Sequence, residues 1–550
     1  MKSDGWRHSL AIARPELARA YYREGHWRTE DLWTSVEAVA AGEPQAVAFV
    51  EGDRSIRFGE LTELAKRFGA AARQHGLDDG DVVVIHGRNC IAAVIAVLGC
   101  AYARLVSALL PSMFSVEQIG SVLQITRSRL VVELGDETEL ERARAAVAAQ
   151  TGTLLVIPDG CAAAEAGRSW SELLASVSDL SQSRRTMPAD DLAMLIFSSG
   201  TTGAPKGVMH SCNTARYAAE RYSACHDIGP QDTCLIVLAF GFVGSSVLGI
   251  LVPLLKGCRG ILLRHWNVDD ALKLISQHRA THIFLMPTHA IDMLASPMLN
   301  ETDCSSVRRG VLAGLTEPQR IDARNRLCAK PFPMYGMSES PGHVTGSMSD
   351  DWEKLRRTEG RPLPGTEVRI CDDADALLPS GTSGSILVRG PNRFLGYYRA
   401  DSLTEESLTA EGFFRTGDIG FLNDEGYMTF VSRSKDIIRR GGVTIVPADI
   451  EAVLRRHPRI RDIAAIGVPD QRLGERACAC VITADGEDMA LDEITRFLEQ
   501  QAFPRYSWPE QVVVCRDFPR TPSLKVKKNV LRERVLGTLT ERGSGSQNDA

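Results

Sequence analysis

The chain has 550 residues, 44% of them hydrophobic and 24% charged, with a formal net charge of −6. That length exceeds a single hydrophobic core and calls for at least two domains. Acids and bases are mixed along the chain, which excludes the basic footprint of a nucleic-acid binder. In chain order, residues 61–74 have helical spacing, 82–86 read as a buried strand, 90–103 as an apolar helix and 130–133 as another strand. Such alternation predicts a parallel sheet covered by helices. The stretch 235–255 carries no charge and is long enough to span a bilayer. It contains Gly241, Gly244, Gly249 and Pro253, however, and no second segment resembles it. It is therefore expected to form a strand, a turn and a helix, without stable membrane insertion. Residues 283–286 and 310–313 continue the strand rhythm, and from Val368 the texture changes to strands and turns, a β-rich subdomain.

A second shift follows Arg433. A helix over 448–456 opens with Pro447 and Asp449, followed by strands at 463–468 and 477–482, a helix at 491–501 and a strand at 511–516. The predicted architecture is α/β: a large N-terminal domain, 1–434, with parallel-rich sheets, helices and a β-rich subdomain, then a small α+β domain, 435–540. Residues 541–550, ending GSGSQNDA, read as a disordered tail. The thirteen cysteines form no CxxC pair, and Cys478 and Cys480 read as small buried thiols. Scattered thiols and an N-terminus without a long apolar run point to a reducing, cytoplasmic setting.

Residues 195–211 read LIFSSGTTGAPKGVMHS. A buried strand runs into small hydroxyl and glycine residues, Ser198, Ser199, Gly200, Thr201, Thr202 and Gly203, and then Lys206. Glycines let backbone N–H groups approach a phosphate, hydroxyls add neutral donors, and the lysine supplies a point charge. The loop suits a polyphosphate. It is not a Walker A loop, because Pro205 stands where the second glycine belongs and Gly207 where Ser or Thr belongs.

Five further runs follow: YGMSES at 335–340, GRPLPG at 360–365, FFRTGDIG at 413–420, SRSKDIIRRGG at 432–442 and FPRTPSLKVKK at 518–528. In this order, with the loop, they resemble the adenylate-forming superfamily of acyl-CoA synthetases, peptide-synthetase adenylation domains and luciferases. The resemblance spans roughly residues 190–530 and is looser over the first 180. It implies activation of a carboxylic acid with ATP and Mg²⁺ as an acyl-adenylate, pyrophosphate release, and transfer to coenzyme A. It further implies that the nucleotide loop, Gly314 and Gly336 contact ATP or AMP and that Tyr335 stacks on adenine. Ser338 would donate to the α-phosphate, Glu339 would bind Mg²⁺, Asp418 would accept both ribose hydroxyls, and Arg433 would contact ribose and phosphate. Lys525 would be the adenylation lysine on a mobile C-terminal domain. Lys435 would be the hinge, and Gly441 and Gly442 would line a channel for the thiol arm.

The chain departs from the family pattern in several places. Leu524 replaces a glycine before the lysine, Ser432 replaces a glycine before Arg433, and Phe240 stands about where many acyl-CoA synthetases carry histidine. The expected acyl-pocket segment AFGFVGSS has no Asp to pair an α-ammonium, which argues against amino acids. Phe240, Gly241, Phe242 and Val243 favour an apolar, aromatic or cyclic small-molecule acid. The chain shows no carrier module of its own, so the acceptor stands open between coenzyme A, a carrier protein, and an amine or other small nucleophile. A nucleotide binder without turnover is disfavoured, because Lys525, Glu339 and Asp418 are all present.

Overall fold

Two parallel-rich sheets carry the N-terminal half of the protein. The structure, a computed structural model, describes residues 15–150, 152–159, 167–177, 180, 184–198, 205–441, 443–520 and 526–545. In the first sheet, Leu192–Ser198, Val106–Pro111, Val82–Gly87, Leu130–Leu134, Leu154–Ile157 and Gly167–Ser169 lie side by side and parallel. Lys206–Ser211 returns antiparallel beside Leu192–Ser198 and is followed by Gly396–Tyr397 at the edge. Val82–Gly87 and Val106–Pro111 are buried at every position, as strands covered on both faces must be.

The helices Phe58–Gln74 and Ile91–Tyr102 touch backbone to backbone on this sheet. A Cβ on Gly69 would stand 2.7 Å from the Gly99 carbonyl oxygen, so the crossing needs a residue without one.

The second sheet runs Pro331–Phe332, Arg309–Leu312, His282–Leu285, Thr233–Ile236, Arg259–Leu262 and Val47–Glu51, all parallel, and ends on antiparallel Arg54–Arg57. The uncharged stretch 235–255 is the strand, turn and helix expected of it. Strand Thr233–Ile236 leads through a turn into Val243–Ser245, a π-helical turn Ser246–Ile250, and Leu251–Lys256. Among the described residues no helix is long and apolar enough to cross a membrane.

By packing, the chain divides into two units. The first comprises Met1–Val368, Val388–Phe414 and Gly426–Met428; the second comprises Arg369–Leu387, Arg415–Glu425 and Thr429–Ala550. The strand-rich texture read from Val368 onward is a four-stranded sheet of Glu367–Cys371, Gly384–Arg389, Phe414–Leu422 and Met428–Arg433. Further on, Val443–Ile445, Ile438–Arg440, Gly474–Thr483 and Ile460–Asp470 form an antiparallel sheet, and Gln511–Val514 pairs parallel to Gly474–Thr483. Pro447–Leu454 and Leu491–Gln500 supply helices to this α+β unit. Cys478 and Cys480 are fully buried, and every described cysteine is free.

The described residues end in a helix. The last helix, Lys528–Gly545, takes up residues 541–545 of the expected tail, while 546–550 lie outside the described residues. Leu531 and Val535 anchor its first turns in the core, and each added residue then needs only one further hydrogen bond.

Candidate active site

The run read as a nucleotide loop lies between the strands Leu192–Ser198 and Lys206–Ser211, where Ser198 and Lys206 are paired. Ser199, Gly200, Thr201, Thr202 and Gly203 lie outside the described residues. The Nζ of Lys206 stands 5.8 Å from the ring centroid of Tyr397. The Tyr397 hydroxyl donates to Oε1 of Glu339 at 2.8 Å. Burial, with the Glu339 carboxylate alongside, raises the Tyr397 phenol well above its usual range, so it keeps its proton and stays a donor. The main chain fixes Glu339 as well, since the Phe394 amide donates to its carbonyl at 2.7 Å. Lys206 and Glu339, 133 positions apart in number, are thus joined through one tyrosine. Sequence reasoning missed Tyr397; its only local signal is an aromatic pair, Tyr397-Tyr398, between Gly396 and Arg399.

The run YGMSES forms a hairpin of Met334–Met337 and Ser340–Thr345, with a register irregularity between Tyr335 and Met337. A Cβ on Gly336 would lie 2.4 Å from the Gly342 amide nitrogen, so this hairpin closes only with glycine there. Tyr335 is buried and meets His343 edge-on, ring centroids 5.0 Å apart. Ser338 and Glu339 sit at the turn, half-buried.

A second missed residue holds that turn. His210 Nε2 lies 2.8 Å from the Ser338 carbonyl oxygen, and Nδ1 lies 3.2 Å from the Thr214 hydroxyl. A carbonyl only accepts, so Nε2 carries the proton and Nδ1 accepts from Thr214. Burial lowers the His210 pKa to about 4, which keeps the ring neutral at neutral pH.

The residues read as the acid pocket follow Thr233–Ile236, Gly314 follows Arg309–Leu312, and Tyr335 follows Pro331–Phe332. All three connections leave the carboxyl ends of parallel neighbours in one sheet, the edge where α/β proteins place ligands. Phe240 is fully buried, while Phe242 and Val243 are half-buried. Gly241 adopts φ +91, and a Cβ there would stand 2.5 Å from the Pro111 nitrogen. Gly314, exposed with φ +64, leads to Thr316, which caps Glu317–Arg326.

In the second unit, Asp418 is buried on Phe414–Leu422, and Arg433 Nε stands 3.7 Å from its Oδ1. The two residues read as ribose contacts are therefore neighbours. Lys435 is exposed in the single 3₁₀ turn Ser434–Asp436. Gly441, φ +55, turns the hairpin between Ile438–Arg440 and Val443–Ile445, and its amide donates to Leu473 O at 2.7 Å. Gly442, Leu524 and Lys525 lie outside the described residues. The segment holding Lys525 is closed at its base, where Arg520 bridges Val526 and the Lys527 amide donates to Pro519 O at 2.7 Å. Among the described residues no three His, Cys, Asp or Glu side chains gather as a metal cage.

Residues 36–398 match the AMP-binding enzyme family, and residues 449–525 match the AMP-binding enzyme C-terminal domain. The chain belongs to the AMP-binding enzyme family. It is a member of the adenylate-forming superfamily. This AMP-binding enzyme is 30% identical to the medium-chain fatty-acid–CoA ligase of Escherichia coli (strain K12), over 96% of this chain and 94% of that protein. Its fold is similar to ATP-bound MatB from Rhodopseudomonas palustris, with a TM-score of 0.83 and 26% identity, covering 92% of this chain and 99% of that one. It is also similar to the amide bond synthetase McbA from Marinactinospora thermotolerans, with a TM-score of 0.80 and 26% identity, covering 92% and 99%. The first match starts well before the run SSGTTGAPKG, so it takes in the early sheet strands as well.

Proposed function

We propose that this AMP-binding enzyme activates an apolar, aromatic or cyclic carboxylic acid with ATP as an acyl-adenylate, then transfers the acyl group to coenzyme A. The observation that carries the reading is the Lys206–Tyr397–Glu339 constellation, which sets a cation and an oriented carboxylate beside the base of the phosphate loop. In the first step a carboxylate oxygen attacks the α-phosphorus, the bond from that phosphorus to the β-bridging oxygen breaks, and pyrophosphate leaves. Lys206 and the loop hydroxyls offset negative charge on the departing phosphates, and Ser338 donates to the α-phosphate. Tyr335 packs on adenine, and Asp418 takes the two ribose hydroxyls with its two oxygens. Lys525 adds positive charge at the reacting phosphate.

The donor set fits Mg²⁺. That ion is held through one or two carboxylates plus substrate phosphates rather than by an all-protein cage, and Glu339 is a half-buried carboxylate with one oxygen fixed by Tyr397. Bound there, the ion would neutralise charge on the leaving pyrophosphate. In the second step a thiol attacks the acyl carbon and AMP leaves. Glycines at Gly441 and Gly442 leave room for a narrow thiol arm, and a change of backbone angles at Lys435 switches the small domain between the two steps.

A second acceptor class has a specific observation behind it. The likeness to an amide bond synthetase extends over nearly the whole chain, which favours an amine as an alternative to the thiol. A carrier protein and another small nucleophile are the remaining alternatives. Pyrophosphate release measured across a panel of acids tests the first step, and absence of release with every acid refutes it. Supplying coenzyme A, an amine or a carrier protein to the adenylate and identifying the product decides the acceptor.

A further inference from the structure

The segment assigned to the acid pocket is held at both ends by one side chain from the other sheet. Asn89 lies in the connection between Val82–Gly87 and Ile91–Tyr102 and is fully buried. Its Nδ2 donates to Leu238 O at 2.8 Å and to Leu263 O at 3.0 Å. Its Oδ1 accepts from the Ser245 hydroxyl at 2.9 Å. Both amide protons are used, and the oxygen is engaged too. Leu238 and Leu263 lie just past the carboxyl ends of Thr233–Ile236 and Arg259–Leu262, while Ser245 closes the helical turn Val243–Ser245.

Between the two pinned points lie Ala239, Phe240, Gly241, Phe242, Val243 and Gly244. The middle of this stretch is pinned by contact: a Cβ on Gly241 would meet the Pro111 nitrogen at 2.5 Å. At its end, a Cβ on Gly244 would meet Leu238 Cδ2 at 2.5 Å, so the two ends also pack on each other. A buried amide with its valences met has one orientation, because any rotation leaves donors or acceptors unpaired at a cost.

We infer that Asn89 is a positioning residue that sets the shape of the acid pocket through Leu238 and Ser245, and so sets which acids bind, without touching the acid itself. The inference rests on the assignment of Phe240–Val243 to the acid pocket. It makes acid selectivity depend on a hydrogen bond between the two sheets of the first unit, 156 positions apart in sequence.

The test uses the full chain and three variants. Ser245→Ala removes one donor and is the mild perturbation. Asn89→Asp keeps the size but turns an oxygen toward two carbonyls. Phe242→Ala changes the pocket wall directly. For each, the KM for the acid, the KM for ATP and kcat are read from pyrophosphate release over acids of graded ring size, with the Tm recorded alongside. Ser245→Ala is expected to raise the acid KM about fivefold, the worth of one buried hydrogen bond, and to flatten the size preference, with the ATP KM within about twofold of the parent. Asn89→Asp is expected to act in the same direction and more strongly. Equal rises in both KM values would show general loosening and overturn the inference. So would an unchanged acid KM in Ser245→Ala and Asn89→Asp while Phe242→Ala alters it. If Phe242→Ala leaves the acid KM and the size preference unchanged, the pocket assignment fails and takes the inference with it.

Discussion

Four of the histidines buried in the first unit should make its stability fall in mild acid. His210, His226 and His343 are fully buried, and His282 is 3% exposed. Burial lowers His210 and His343 to about 4 and His282 to about 3, and drives His226 well below its ordinary 6.5. Arg309 pushes His226 and His282 the same way, and Asp232 only partly opposes this at His282. Folded pKa values below the unfolded one mean that the unfolded chain binds more protons as the pH drops below 6.5. Stability is therefore full above that pH and declines toward the folded values. At about pH 5.5 each such histidine costs on the order of 1 kcal/mol, and the four together several kcal/mol. That is comparable to the whole stability of a domain, about 5–15 kcal/mol.

Carboxylates held low, such as Asp232 and Asp350, are ionised in both states over this window and contribute only in stronger acid. Urea unfolding followed by tryptophan fluorescence is the assay, because Trp33 is fully buried in the same unit. Trp508→Phe removes the signal of the second unit. His282→Asn should reduce the loss between about pH 7 and 5.5 by roughly 1 kcal/mol. An unfolding free energy that stays level or rises over that interval would refute the argument.

Three further outcomes are expected. Lys525→Ala should abolish adenylate formation yet spare thioester formation from pre-made acyl-adenylate; equal loss of both half-reactions, measured separately, contradicts the role. Asp418→Asn should raise the KM for ATP about tenfold or more, since a charged acceptor of two ribose hydroxyls becomes neutral, and an unchanged ATP affinity by titration excludes the assignment. Gly336→Ala should cost both activity and stability, because the added methyl meets the Gly342 amide at 2.4 Å, where only backbone can move; an unchanged Tm would mean that the hairpin adapts.

The sequence by itself determined the chemistry that resides in short runs. A phosphate loop needs glycines, hydroxyls and a cation within a dozen residues, and SSGTTGAPKG offers all three without reference to a fold. Apolar runs bounded by turns located the strands, and the uncharged stretch 235–255 was read as a strand, turn and helix because its glycines and proline spoil a membrane span. Only the tertiary structure decided which buried polar groups find partners. Tyr397 reaches Glu339 across 58 positions, His210 reaches the Ser338 carbonyl across 128, and Asn89 reaches Ser245 across 156. The physical reason is that a hydrogen bond is satisfied by direction and distance in the folded core, and local spacing encodes neither once the partners lie on different elements.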